Sequence, residues 1–293
     1  MSATSFIGSI LILSSIAACN TATKNESSTK VVKAISAINV SNEVSDWNRR
    51  LEINAKNSGI DVEEEGYTEC ASLNEIKGAY LCASLYVRHT NEALVRASLF
   101  VEGVLDNPKG NIAKFSSLSY QKGVRLVGGH DLTSDDLKDF WQKLAVACRT
   151  GGPDVCPSKR ETEFFEDFIN PKLAKNEKFV IISYGLRSHM EWPEVVTHEI
   201  MHAQYFLQVG FRNTVDNFWT NKVSDGDKEL MANALSQYYD VKNPLLLKNE
   251  FQAYILMSGA ESSFLGQFVK KFRAPLMADM KANGVNPVQV SEK

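Results

Sequence analysis

His198-Glu199-Ile200-Met201-His202 is the segment that most constrains how this chain can fold. Residues four apart on an α-helix lie on the same face, so a helix here offers two imidazoles to one ion. Glu199, one position further round, can reach a water on that ion but is poorly placed as a third ligand. Two neutral nitrogens, an open coordination position and a carboxylate able to take a proton are what zinc-assisted hydrolysis requires. The surroundings predict a helix. Trp192-Pro193-Glu194 resembles a helix start with Pro193 near the first position, and Val195, Val196, Ile200, Met201, Tyr205 and Phe206 continue it without Gly or Pro until Gly210. The competing reading is two histidines on a packed helix beside an incidental glutamate. The chain has only 5 His, and their pairing at this spacing favours the metal.

A zinc site of this kind needs one more protein ligand. A third histidine at HExxHxxGxxH is excluded, because Tyr205 and Gln208 occupy the two later positions. A glutamate on a later helix is the other common solution, and Glu229 and Glu250 are the candidates. Helical neighbours of Glu229 are Asn233 and Ser236, a polar face, which reads as a solvated carboxylate. Neighbours of Glu250 are Ala253, Tyr254 and Met257. A carboxylate on that apolar face is costly unless paired or bound to metal, which favours Glu250. An aspartate, or no third protein ligand, is the remaining possibility.

On these residues the chain resembles the zincins, and the gluzincin type in particular, in which HExxH is followed by a ligand glutamate. The resemblance covers roughly residues 177–273. It implies an α+β, two-lobe fold with a small mixed sheet, the HExxH helix and a mostly helical C-terminal lobe. It also implies a zinc-dependent metallopeptidase with His198, His202 and Glu250 as metal ligands, Glu199 as general base, and a peptide or protein as substrate. Tyr254, one turn beyond Glu250, can assist or simply pack. In zincins a strand just before the motif helix pairs at a sheet edge with extended substrate. Residues 179–184 read either as that edge or as a buried core strand. Two alternatives stand beside the peptidase: a catalytically inactive surface lipoprotein that binds a partner on the same fold, and a non-peptidase hydrolase. A purely structural zinc is disfavoured, since such sites are closed and usually cysteine-rich.

Residues 1–18 read as an export signal: a short apolar run from Phe6 to Ala18, with small residues before Cys19. Ile16-Ala17-Ala18-Cys19 resembles the lipobox of bacterial lipoproteins, although residues 1–5 lack Lys or Arg. The expectation is a periplasmic or cell-surface lipoprotein anchored at Cys19, or alternatively a secreted protein. Residues 19–30, rich in Ser, Thr, Asn and Lys, read as a flexible tether. Residues 31–293 form the catalytic region, with 31–123 as a possible separate N-terminal lobe. Cys70, Cys82, Cys148 and Cys156 make an even set, and local pairing gives Cys70–Cys82 and Cys148–Cys156 among three possible connectivities. Disulfides fit export. A net charge of −3 leaves no basic footprint for nucleic acid, and contact with a membrane is expected only through a lipid on Cys19.

Elsewhere the pattern predicts helices over 41–57, 91–105 and 161–169, the last stopped by Pro171. A helix is predicted to follow the N-cap run Thr133-Ser134-Asp135-Asp136, and others lie near 228–240, 247–258 and 262–271. Strands are predicted at 80–87 and 124–127, and residues 31–39 fit either a strand or a short helix. His189 could line a cleft, whereas His89 and His130 read as structural or exposed.

Overall fold

The computed structural model describes residues 32–64, 66–103, 107–118, 129–187, 192–236, 238–257 and 259–290. The export segment, Cys19, the tether, the strand expected at 124–127 and His189 lie outside the described residues. The protein is α+β: a small mixed sheet with a mostly helical remainder. Its strands are β1 (Val32–Ile38), β2 (Thr68–Leu73), β3 (Ala79–Tyr86), β4 (Gly129–Thr133) and β5 (Val180–Arg187), in the order β1-β2-β3-β5-β4. The pairs β1/β2 and β3/β5 are parallel; β2/β3 and β4/β5 are antiparallel. The strand before the motif helix, β5, is therefore interior rather than a sheet edge, and among the described residues β4 occupies the edge beside it. Burial on both faces accounts for the unbroken apolar character of Val180, Ile181 and Ile182. Residues 31–39, ambiguous in sequence, supply the strand β1 and not a helix.

Alternation along the strands divides the interior into two cores, one on each face of the sheet. Val180, Ile182 and Tyr184 of β5, with Leu81 and Ala83 of β3, face the first core. Phe179, Ile181, Cys82 and Leu132 face the second. Helix α1 (Val40–Asn57), the motif helix α6 (Trp192–Leu207) and the C-terminal helices pack in the first core. Helices α2 (Val87–Glu102), α3 (Ser134–Gly151) and α4 (Lys159–Phe164) pack in the second. The N-cap read at Thr133 is present: its side chain accepts a hydrogen bond from the backbone N–H of Asp136.

Pro171 does not stop its helix. A π turn at Phe165–Ile169 follows α4, and the chain continues as α5 (Asn170–Leu173) with the proline in its first turn. The wider turn accommodates the ring and the lost N–H, so the continuation costs less than a proline inside a regular helix would. Gly210 likewise ends nothing. It lies in the first turn of α7 (Val209–Lys222), a helix the sequence pattern did not reveal, since only Gln208 separates it from α6. Beyond it come α8 (Asp225–Leu235), α9 (Pro244–Leu256) and α10 (Gly266–Ala282), the last running well past residue 271 through Pro275.

Both disulfides follow the local pairing. Cys70 and Cys82 stand directly opposite each other on β2 and β3, and Cys148–Cys156 closes the turn after α3. Buried Arg96 pairs with Glu161 and donates to the carbonyls of Val155 and Cys156, which ties that stapled turn to α2. Among the described residues no helix is long and apolar enough to cross a membrane.

Candidate metal centre

Helix α6 is buried almost all round. Every residue from Val195 to Tyr205 is buried, including His198, Glu199 and His202. Such a helix carries polar side chains only where they meet partners. For the two histidines the partner comes from α9, which Asn243 caps by accepting from the N–H groups of Leu245 and Leu246, with Pro244 in the first turn. One and a half turns on, Glu250 projects between the imidazoles. His198 Nε2 lies 3.4 Å from Glu250 Oε2, His202 Nε2 lies 3.6 Å from Glu250 Oε1, and the two Nε2 atoms are 3.0 Å apart. Glu229, on α8, is exposed and belongs to no potential ligand group among the described residues.

His198, His202 and Glu250 fit a zinc ion on two grounds. Ligands about 2.0–2.1 Å from a tetrahedral ion stand about 3.4 Å from one another, and the three observed separations bracket that value. Glu250 is also only 3 % exposed, and its Oε2 has no hydrogen-bond partner. A buried carboxylate left so is expensive without a cation. Removal from water pushes the Glu250 carboxyl up, against the opposing pull of His202 and, more weakly, of the Tyr239 hydroxyl. His198 is pushed down to about 4, chiefly by burial and against the attraction of Asp131. It is therefore neutral at physiological pH, as a ligand must be.

Glu199 lies beside this group, buried, with Oε2 unpartnered. Its carboxyl is held well above the usual range by burial first, then by repulsion from Asp131, Glu250 and Glu102. Gly129 of β4 makes room for it: a Cβ there would stand 2.2 Å from Glu199 Oε1. Two residues on, and therefore on the same face of β4, Asp131 stands 3.8 Å from His202 Nδ1. Asp131, Glu199 and His202 thus form a second compact group, with one ligand atom from each all within 4.8 Å. Burial raises the Asp131 carboxyl to about 6, with His202 opposing and Glu250 adding to the rise. Tyr254 packs its ring edge-on to His198, with centroids 4.6 Å apart.

Four members of this site escaped sequence reading. Asp131 and Gly129 lie in what reads as a turn, and only the pairing of β4 with β5 brings them to α6. Glu102 ends α2, and its carboxyl is raised by burial and then by Asp131 and Glu250. Tyr239 lies just beyond α8, where nothing in the local pattern signals a contact with Glu250. The faint signal available was charge: carboxylates flanking apolar runs with no lysine or arginine at helical spacing. Among the described residues none of Glu102, Asp131, Glu199 and Glu250 is paired with a lysine or arginine.

No protein-family model matches the chain, and no curated protein or solved structure is detectably similar to it.

Proposed function

We propose that the protein is a zinc-dependent peptidase with a zincin-like, two-lobe arrangement, exported and anchored to a membrane by a lipid on Cys19. One observation carries the catalytic reading: His198, His202 and Glu250 converge from two helices at separations suited to a single zinc ion, with the Glu199 carboxylate adjoining. The two disulfides support an oxidising compartment.

His198, His202 and Glu250 hold the ion, which supplies a Lewis acid able to lower the pKa of water and polarise a carbonyl. Glu199 acts as general base. It takes a proton from the water as the water oxygen bonds to the scissile carbonyl carbon. As the C–N bond breaks, it delivers a proton to the departing amine. Desolvation suits it to this exchange, because a raised carboxyl holds a proton more tightly than an ordinary glutamate does. Strand β4, the edge beside the site among the described residues, would offer backbone groups to an extended peptide in place of β5.

Hydrolysis of a mixed peptide library by the zinc-loaded protein, beside Glu199→Gln, tests the reading. The expected result is cleavage that falls roughly 10²–10⁴-fold in the variant, with zinc retained. Full turnover by Glu199→Gln removes the base assignment. Cleavage of esters or non-peptide amides alone makes the protein a different metal hydrolase.

A further inference from the structure

We propose that Asp131 is a positioning residue for His202, and that Asn249 and Gln252 hold it in that role. This rests on the metal reading of the site above.

His202 presents Nε2 to His198 and Glu250, so Nδ1 points away from the proposed ion. A neutral imidazole that ligates through one nitrogen carries its proton on the other. Nδ1 is buried, since His202 is 1 % exposed, and it has no hydrogen-bond partner. The carboxylate facing it is Asp131, whose Oδ2 lies 3.8 Å away, too far for a hydrogen bond as it stands but able to reach one through a small adjustment. That partnership would fix the tautomer and the ring plane.

The setting of Asp131 gives the assignment its direction. Asn249, adjacent to the ligand Glu250 on α9, donates through Nδ2 to the same Asp131 Oδ2 at 3.5 Å. Gln252 donates through Nε2 to Asn249 Oδ1 at 3.2 Å. Both amides are buried. Turning the Asn249 amide over would set its oxygen against the carboxylate and its nitrogen against a donor, so chemistry selects the orientation observed. A buried relay therefore runs from Gln252 through Asn249 to Asp131 and on towards His202. It links strand β4 to the two helices that carry all three proposed ligands. A second cation shared by Asp131, Glu199 and His202 is the competing use of the same group. It would require Nδ1 to surrender its proton, whereas a single proton between Nδ1 and Asp131 satisfies both.

Zinc affinity, measured by competition with a chromophoric chelator, tests this in wild type, Asp131→Ala and Asp131→Asn. Urea unfolding of the metal-free forms runs alongside. One zinc per wild-type chain is expected. Affinity should fall roughly 10–100-fold in Asp131→Ala, and Asp131→Asn, which keeps an acceptor oxygen, should recover part of the loss. Metal-free unfolding midpoints should change little. Affinity within threefold of wild type in Asp131→Ala overturns the proposal and leaves the metal reading intact. So does an affinity loss matched by a collapse of metal-free stability. Two zinc ions in wild type with one lost in Asp131→Ala makes Asp131 a ligand instead. Absence of zinc from wild type defeats the metal reading itself.

Discussion

A side chain at Gly129 would run into the Glu199 carboxylate. Because the obstructing atoms belong to the end of a flexible side chain, an added methyl displaces the carboxylate and spares the backbone. Gly129→Ala is therefore expected to keep one zinc per chain while losing about a hundredfold in peptide turnover. Equal loss of metal and activity would show instead that β4 itself had moved. Glu250→Ala removes a ligand, so its zinc content should drop sharply; unchanged content would return the third-ligand role to another carboxylate. At this scale the sequence was most legible where chemistry imposes spacing. The histidines and Glu199 announce themselves by the four-residue interval. Glu250 stands out as a charge on an apolar helical face, and Glu229 is discounted by its polar one. Asp131 and Tyr239 were illegible because their roles depend on partners 71 and 11 positions away (His202 and Glu250), and no local period encodes such contacts.

Elements were legible in proportion to their local signals. The Thr133 N-cap, the apolar stripe Val44, Trp47 and Leu51 of α1, and the β-branched run of β5 each specify their element within one turn or strand. Placement of β5 inside the sheet was not, because an apolar run of that length fits an edge or an interior strand until its neighbours are known. Proline and glycine misled where tertiary packing overrode them: Pro171 sits beyond a π turn, and Gly210 within α7. The disulfide Cys70–Cys82 locks β2 to β3 at the centre of the sheet. Replacing both cysteines with alanine is expected to lower stability by about 2–3 kcal/mol through the restored freedom of the unfolded chain. Urea unfolding under non-reducing conditions measures this. A change below about 0.5 kcal/mol would mean that the unfolded ensemble is already restricted there.

Across the whole molecule, two cores hold a sheet from both sides, and charge concentrates where α6, α9, β4 and the end of α2 meet. Without metal, the carboxyls of Glu199 and Glu102 are held well above their ordinary range, and Asp131 is raised to about 6. The folded state then binds more protons than the unfolded one, so stability from these groups is present at low pH and lost as pH rises. Buried His130, lowered to about 3, and His89, lowered to about 4, act oppositely, since unfolding lets them protonate once pH drops below the ordinary imidazole value. Above about pH 6.5 the histidines contribute nothing further. From there to about pH 8.5 the melting temperature of the metal-free protein is expected to fall, and saturating zinc should remove most of that slope. A flat metal-free profile would show that burial and mutual repulsion do not raise these carboxyls.

A single zinc ion held by His198, His202 and Glu250 underlies the proposed activity. Elemental analysis of the purified protein, wild type beside His198→Ala, tests it most directly. About one zinc per chain is expected in wild type, and its loss in the variant. Zinc absent from both after zinc is supplied, or retained equally by both, would contradict it.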